Sequence, residues 1–535
     1  MKNLIIVILL LTSTIVDGQW IASKFRVSFK DKNNSPYSLS NPSQYLSQRA
    51  IERRTKYNIP LKMNDIPVNQ RYVDSIKSTG VTILNKSKWF NSVTIQTTDY
   101  TKLTTILAFS FVTHIDTVGE SPSGRGAKKA VKKRDTMEGY LIETDLNNNI
   151  TSETSSKYYD YGQSYTQVHQ LATDYLHDIG FRGEGMVIAV LDAGFYNVDK
   201  IDIFDSLWAN NQVLGSKDFV NPGGSVFSQS THGMMVLSIM GGNKPEKLIG
   251  TAPKAKYWLL RSEDADSEYL IEEDNWASAA EYADSVGADV INSSLGYTTF
   301  DNPYMNHKYS ELNGRTYRSS IAAATAAGKG ILVVNSAGNS GNQPWKYISA
   351  PADADSIITA GAVDGSGVYA SFSSVGPTAD HRVKPTITAM GQGTYVTTTS
   401  GDVSPGNGTS FSSPVLAGSV ACLWQANRDK SNLEIIEALI KSANYYTKPN
   451  DTYGYGIPNL MAANYLLKNA TVAFSEEQRL VALPNPFLDR LYISYFSKEE
   501  FTTKIELYDM TGKLSYSKEN ILIKAGINYI SLYDL

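Results

Sequence analysis

Between about residue 157 and residue 468, short apolar runs alternate with longer stretches of helical spacing. MVIAVLD (186–192), DVINSSLG (289–296), GILVVNSAGN (330–339) and SIITAGAV (356–363) are the clearest strands, apolar over most of their length. WASAAEYADSVG (276–287) and SSIAAATAAGKG (319–330) are alanine-rich and end on glycine, which predicts helices. A last helix is predicted from Ser410 to about Gln425, where an apolar run follows GTSFSSP. Strands and helices in alternation imply an α/β domain with a parallel sheet.

The flanks read differently. Residues 19–120 hold strand patterns at 24–29, 81–85, 92–97 and 111–118, with helical stretches at 42–57, 72–78 and 100–107: a small α/β unit. Residues 121–156 form a linker that opens with the basic run SPSGRGAKKAVKKRD, read as a solvated segment open to proteolysis. Residues 475–535 carry LPNPF, RLYISYF, KIELYDMTGKLSY and INYISLYDL with turns between them, the pattern of a small β-sandwich. At the other end, Lys2 precedes an apolar stretch from Leu4 to about Leu11. That stretch is short for a membrane span and suits a signal peptide over residues 1–18, with an uncleaved anchor as the weaker alternative.

Composition narrows the chemistry. The 535 residues exceed one core, and a net charge of −4 gives no sign of a nucleic-acid partner. The single cysteine, Cys422, rules out an internal disulfide and reads as an inert core residue. No CxxC, Cys/His or HExxH spacing predicts a resident metal, and GxSxG is absent.

Four polar residues sit at strand ends or helix starts beside small neighbours. Asp192 ends MVIAVLD, His232 opens an apolar helical pattern in STHGMMV, Asn339 ends a strand in NSAGNSG, and Ser410 lies in GTSFSSP. Singly, each has an ordinary reading: a turn Asp, a surface or capping His, a turn Asn, a capping Ser. Jointly they supply a nucleophile, its base, the acid that orients the base, and an amide donor for an oxyanion.

AVLDAGF, STHGMMV, SAGNSG and GTSFSSP, in that order, resemble the subtilisin-like serine proteases (subtilases), and the likeness runs through most of residues 170–465. It implies a three-layer fold with a mainly parallel sheet. It also implies a secreted serine endopeptidase working through an acyl-enzyme, with Asp192, His232 and Ser410 as triad and Asn339 in the oxyanion hole. Ser293, Leu295 and Gly296 become the strand edge that pairs with substrate, Ala337 and Gly338 a wall of the S1 pocket, and Ser349 its base. Residues 19–120 resemble the family's propeptide, a partner that covers the cleft. Residues 475–535 resemble a type IX secretion sorting domain but lack its final Gly-x-Tyr strand, and secretion machinery is the partner this implies. A bacterial protein, secreted or at the cell surface, is expected.

The rival reading is a catalytically inactive subtilase fold kept for binding or adhesion. One stretch stands apart: SEDADSEYLIEEDN (262–275) carries seven carboxylates and reads as a solvated loop near the non-prime end of the cleft. It is a candidate to attract basic substrates or Ca²⁺, although no specific calcium motif occurs and no cofactor is required.

Overall fold

The computed structural model describes residues 19–123, 158–468, 480–483, 490–497, 499–523, 526–533 and 535. The expected signal peptide and nearly all of the expected linker lie outside these residues. An antiparallel sheet comes first: β1 (Gln19–Phe29), β2 (Thr82–Ser87), β3 (Ser92–Gln96) and β4 (Val112–Ser123), in the order β2-β3-β1-β4. Helices α1 (Gln48–Lys56), α2 (Gln70–Ser78) and α3 (Tyr100–Leu107) accompany it. Ser47, Asn69 and Asp99 cap them, each side chain accepting from a first-turn N–H. Phe25, Val27, Val93 and Ile95 meet Val73, Ile76 and Ile106 in a core of their own.

The central sheet contains β5 (Val187–Asp192), β6 (Val213–Asp218), β9 (Lys256–Arg261), β10 (Val290–Ser293), β11 (Leu332–Ser336), β12 (Ile358–Val363) and β13 (Ile387–Met390). A two-residue pair, β7 (Asn243–Lys244) and β8 (Leu248–Ile249), lies between β6 and β9. The sheet order is β13-β12-β11-β10-β5-β9-β6, and neighbouring strands run parallel. β6 and β13 escape the sequence pattern for separate reasons. β6, VLGSKD, is an edge strand with half its residues exposed, and β13 has only four residues.

Because side chains alternate across a strand, β5 feeds two cores. Ile188 and Val190 point to the side of α4 (His232–Gly241) and α7 (Thr409–Ala426). Val187, Ala189 and Leu191 face α5 (Ile271–Val286) and α6 (Arg318–Gly328). The result is three layers, helix on sheet on helix. α8 (Asn432–Ser442) and α9 (Leu460–Lys468) extend the first helical layer. A hairpin of β14 (Gln392–Thr397) and β15 (Val403–Asn407) leads into α7.

The last region has two small antiparallel sheets. β16 (Leu480–Leu483), β17 (Arg490–Ser497) and β20 (Gly526–Tyr533) form one, and β18 (Phe501–Tyr508) with β19 (Leu514–Ile523) the other. Leu491, Ile493 and Leu532 pack against Ile505, Leu507 and Tyr516 between them, as a sandwich requires. Among the described residues no helix is long and apolar enough to cross a membrane.

α5 begins at Ile271, five residues before the predicted start, and this corrects the solvated-loop reading for 271–275, while 262–270 remain a loop. Glu272, Glu273 and Asp274 open the helix and are buried. Glu273 accepts from Ser319 N–H and Oγ–H and lies 2.9 Å from His307 Nε2, so its charge is matched inside the fold. The His307 ring and the Ser319 donors hold the Glu273 carboxyl below the usual range against the opposing effect of burial.

Candidate active site

Parallel strands that all end on one side put their carboxyl-terminal residues along a common rim. Asp192, the last residue of β5, is fully buried there. Its Oδ1 accepts from the Ala193 N–H at 2.7 Å and lies 2.7 Å from Nδ1 of His232. A carboxylate can only accept, so Nδ1 carries the proton and Nε2 is left as the basic atom of the ring. His232 is the first residue of α4, next to Gly233. A β-carbon on Gly233 would lie 2.3 Å from the Gly194 carbonyl oxygen and 2.9 Å from Asp192 Cβ. Glycine is therefore what lets the helix start come this close to the strand end.

Ser410 is the second residue of α7, in the first turn, where backbone N–H groups lack intrahelical partners. It is 5% exposed. Its two neighbours reach the other expected residues. The Phe411 ring stacks on that of His232 with centroids 6.4 Å apart. On the other side, Thr409 donates to Asn339 Oδ1 from its N–H at 2.8 Å and from its hydroxyl at 2.9 Å. Those two donors fix which end of the Asn339 amide is oxygen and leave its NH₂ as the group that can donate elsewhere.

The proline four residues after Ser410 has a local consequence. Pro414 has no N–H to give the Ser410 carbonyl, the usual partner at that spacing in a helix. Ser294 supplies the missing donor, its Oγ–H reaching Ser410 O at 2.9 Å. In return Ser410 Oγ lies 3.4 Å from the Ser294 carbonyl oxygen. Ser294 and Thr409 escaped the sequence reading; both stand beside residues it singled out, and hydroxyl neighbours were the available signal.

The expected pocket residues divide. Ser293 lies inside the sheet, paired with Leu191 on one side and Asn335 on the other, and its Oγ accepts from Trp276 Nε1 at 2.9 Å. Its backbone is therefore no open edge, contrary to expectation. Leu295 and Gly296 continue past the last ladder pair of β10. Ala337 is buried, and Gly338 has a φ of +106, a conformation suited to glycine. Ser349 stands between the two segments. A β-carbon on Gly296 would lie 2.1 Å from Ser349 Oγ, and one on Gly338 3.3 Å away.

Ligand oxygens of Glu263, Glu268 and Glu272 lie within 4.8 Å of one another, a loose cluster that could form a weak cation site. Glu272 is already engaged by the N–H groups of Asp264 and Tyr269.

A sequence profile of the Subtilase family (Peptidase S8) matches residues 183–456, more than half of the chain. The chain belongs to the subtilase family. A second profile, the Peptidase S8 propeptide domain of Bacteroidota, matches residues 24–136. Subtilisin BL of Lederbergia lenta is 30% identical over 288 residues, covering 54% of this subtilase and 93% of the relative. Subtilisin NAT of Bacillus subtilis subsp. natto is 28% identical over 343 residues, covering 63% and 78% respectively. Among solved structures, MycP1 from the ESX-1 type VII secretion system aligns at 21% identity with a TM-score of 0.44, over 56% of this chain and 85% of that one. A protease of serine type with a propeptide region follows from the family and its relatives.

Proposed function

We propose that the protein is an exported serine endopeptidase in which Ser410 attacks the scissile carbonyl, His232 takes its proton, and Asp192 orients and stabilises the imidazolium. The observation that carries this reading is the 2.7 Å contact between His232 Nδ1 and Asp192 Oδ1, which leaves Nε2 as the base. The tetrahedral oxyanion is held by the Asn339 amide and the Ser410 N–H, and the acyl-enzyme is then hydrolysed by water. The grip of Thr409 on Asn339 Oδ1 supports the donor role.

Substrate lies extended along Leu295–Gly296, with its P1 side chain between that segment and Ala337–Gly338 above Ser349. The uncharged hydroxyl of Ser349 suits neutral P1 residues. Residues 1–18 direct export, residues 19–120 act as propeptide and are lost by cleavage within 121–156, residues 157–468 are the peptidase, and residues 475–535 are a sorting-like β-sandwich. No cofactor is required.

The test is a fluorophosphonate probe and a peptide library applied to wild type and Ser410→Ala. Labelling at Ser410 and cleavage by wild type alone are expected. A folded, mature wild type that neither labels nor cleaves would instead support the inactive binding fold.

A further inference from the structure

The rim beside Asp192 carries a charge that the triad reading does not use. Parallel register sets Asp192 of β5 opposite Arg261 of β9, and Arg261 opposite Asp218 of β6. Three neighbouring strands thus end in a row of carboxylate, guanidinium and carboxylate. Arg261 is 6% exposed and Asp218 4% exposed. Burying an arginine costs free energy unless its N–H groups are all directed at acceptors, so its contacts show what it holds.

Arg261 Nε–H donates to the Ala193 carbonyl at 3.0 Å, and Nη1 donates to Asp218 Oδ2 at 3.0 Å. Nη2 lies 3.8 Å from Asp264 Oδ1. Ala193 is the residue whose own N–H donates to Asp192 Oδ1, the oxygen that also meets His232. Next to it, the Ser262 N–H donates to the Asp192 carbonyl at 3.0 Å. One guanidinium therefore fixes the far side of the peptide turn whose near side orients the carboxylate. Asp218 in turn is held by the N–H groups of Val220 and Asn221, at 2.9 and 2.8 Å.

We infer that Arg261, braced by Asp218, is a positioning residue for Asp192: it locks the Asp192–Ala193 turn and sets the charge felt by the His232 imidazole. This rests on the triad reading above. A planar fork is needed, because a lysine ammonium reaches one of these acceptors well but cannot span Ala193 O and Asp218 with fixed geometry.

The two charges act on His232 with opposite sign. The charged groups facing this row are Asp192 from β5, Asp218 from β6, Asp264 beyond β9, and His232 itself when protonated from α4. Removing the cation leaves those carboxylates to stabilise the imidazolium, so His232 keeps its proton to higher pH. Removing the Asp218 charge leaves Arg261 less compensated and does the reverse.

The experiment measures kcat, KM and the acid limb of the kcat/KM–pH profile for the mature enzyme obtained from the full-length chain, per active site titrated with a fluorophosphonate. Wild type, Arg261→Met, Arg261→Lys and Asp218→Asn are compared. Arg261→Met is expected to lower kcat at least tenfold with KM within twofold, and to move the acid limb to higher pH. Arg261→Lys should restore the limb but only part of kcat, and Asp218→Asn should move the limb to lower pH. Should Arg261→Met fail to fold, the lowered kcat of Arg261→Lys at an unmoved limb and the limb shift of Asp218→Asn decide. Wild-type kcat and an unmoved limb in the folded variants, even with a lowered Tm, would overturn the inference. An active Ser410→Ala control would instead overturn the triad reading, so the two failures are told apart.

Discussion

Around α7 the buried side chains are mostly apolar: Phe411, Val415, Leu416, Val420 and Leu423 pack on Val190, Leu332 and Val334 from the sheet. At the seam between the N-terminal module and α5, Trp89 and Val118 make apolar contacts, but many of the buried side chains are charged. Asp284 receives Arg53 at 2.5 Å and Arg54 at 2.9 Å, with Lys88 at 3.5 Å, while Lys329 reaches across to Asp65 at 2.6 Å. Glu281 accepts from Ser87 Oγ–H and from the N–H groups of Lys88 and Trp89. Arg26 and Arg318 both pair with Asp274. Apolar burial is indifferent to direction and suits a core that never opens. Charges in a seam can be rehydrated when it opens, so the two halves are matched yet separable, as a propeptide reading of residues 19–120 requires.

The largest way to break this contrast is Asp284→Ala. The cations around Asp284 hold its carboxyl well below the usual range despite its burial, so the charged form is what the seam is built on. Deleting it leaves Arg53 with no carboxylate and Arg54 with Asp65 alone in a dry site, at a cost of about 3–5 kcal/mol. After cleavage of the 121–135 segment, the N-terminal module should leave at concentrations roughly two to four orders of magnitude higher than from wild type, read by size exclusion or native mass spectrometry. Replacing the acid and its two arginines with apolar residues (Asp284→Leu, Arg53→Met, Arg54→Met) should bring retention back near wild type. Equal retention by Asp284→Ala and wild type would mean that the charges do not hold the seam.

The core side of the contrast is sharpened by Leu416→Ala, in the middle of α7 and fully buried. Loss of its contacts with partial relaxation should cost about 3 kcal/mol of unfolding free energy. Urea denaturation reads this on the central domain, and retention of the N-terminal module should be unchanged. A parallel loss of retention would show that core and seam are one cooperative unit.

How much of this was legible in the chain depended on whether the information was local. Asp192, His232, Asn339 and Ser410 stand out because each sits beside glycine, alanine or serine at the end of a patterned element, and the order of the four motifs adds the rest. The burial of Glu272–Asp274 was not legible, since the partners of Glu273 lie 34 and 46 residues away, at His307 and Ser319. Arg261 was invisible for a related reason: its meaning comes from the register of β5, β9 and β6, which no stretch of sequence displays. Edge strand β6 has too mixed a pattern to declare itself, and Ser293 lost its expected role once β11 paired along its other side.

The smallest effect expected concerns His177, which belongs to the core side but carries a titratable ring. Its Nε2 lies 3.0 Å from the Thr251 carbonyl oxygen, which can only accept, so Nε2 bears the proton; Nδ1 then accepts from the Tyr161 hydroxyl at 2.7 Å. Burial of that neutral ring pushes its pKa down from 6.5 to about 4. An unfolded chain takes up a proton below pH 6.5 that the folded ring refuses until about pH 4. Stability from this group is therefore complete above pH 6.5, falls as the pH drops through that window, and levels off below it. Between pH 8 and pH 5 the loss amounts to about 2 kcal/mol. His177→Gln removes the titration, so whatever it costs at neutral pH, its stability should decline less steeply toward pH 5, by about that amount. Chemical denaturation of the two proteins at several pH values gives the slopes directly. Identical slopes would mean that the ring is hydrated or already protonated in the fold, and that acid sensitivity resides in the charged seam.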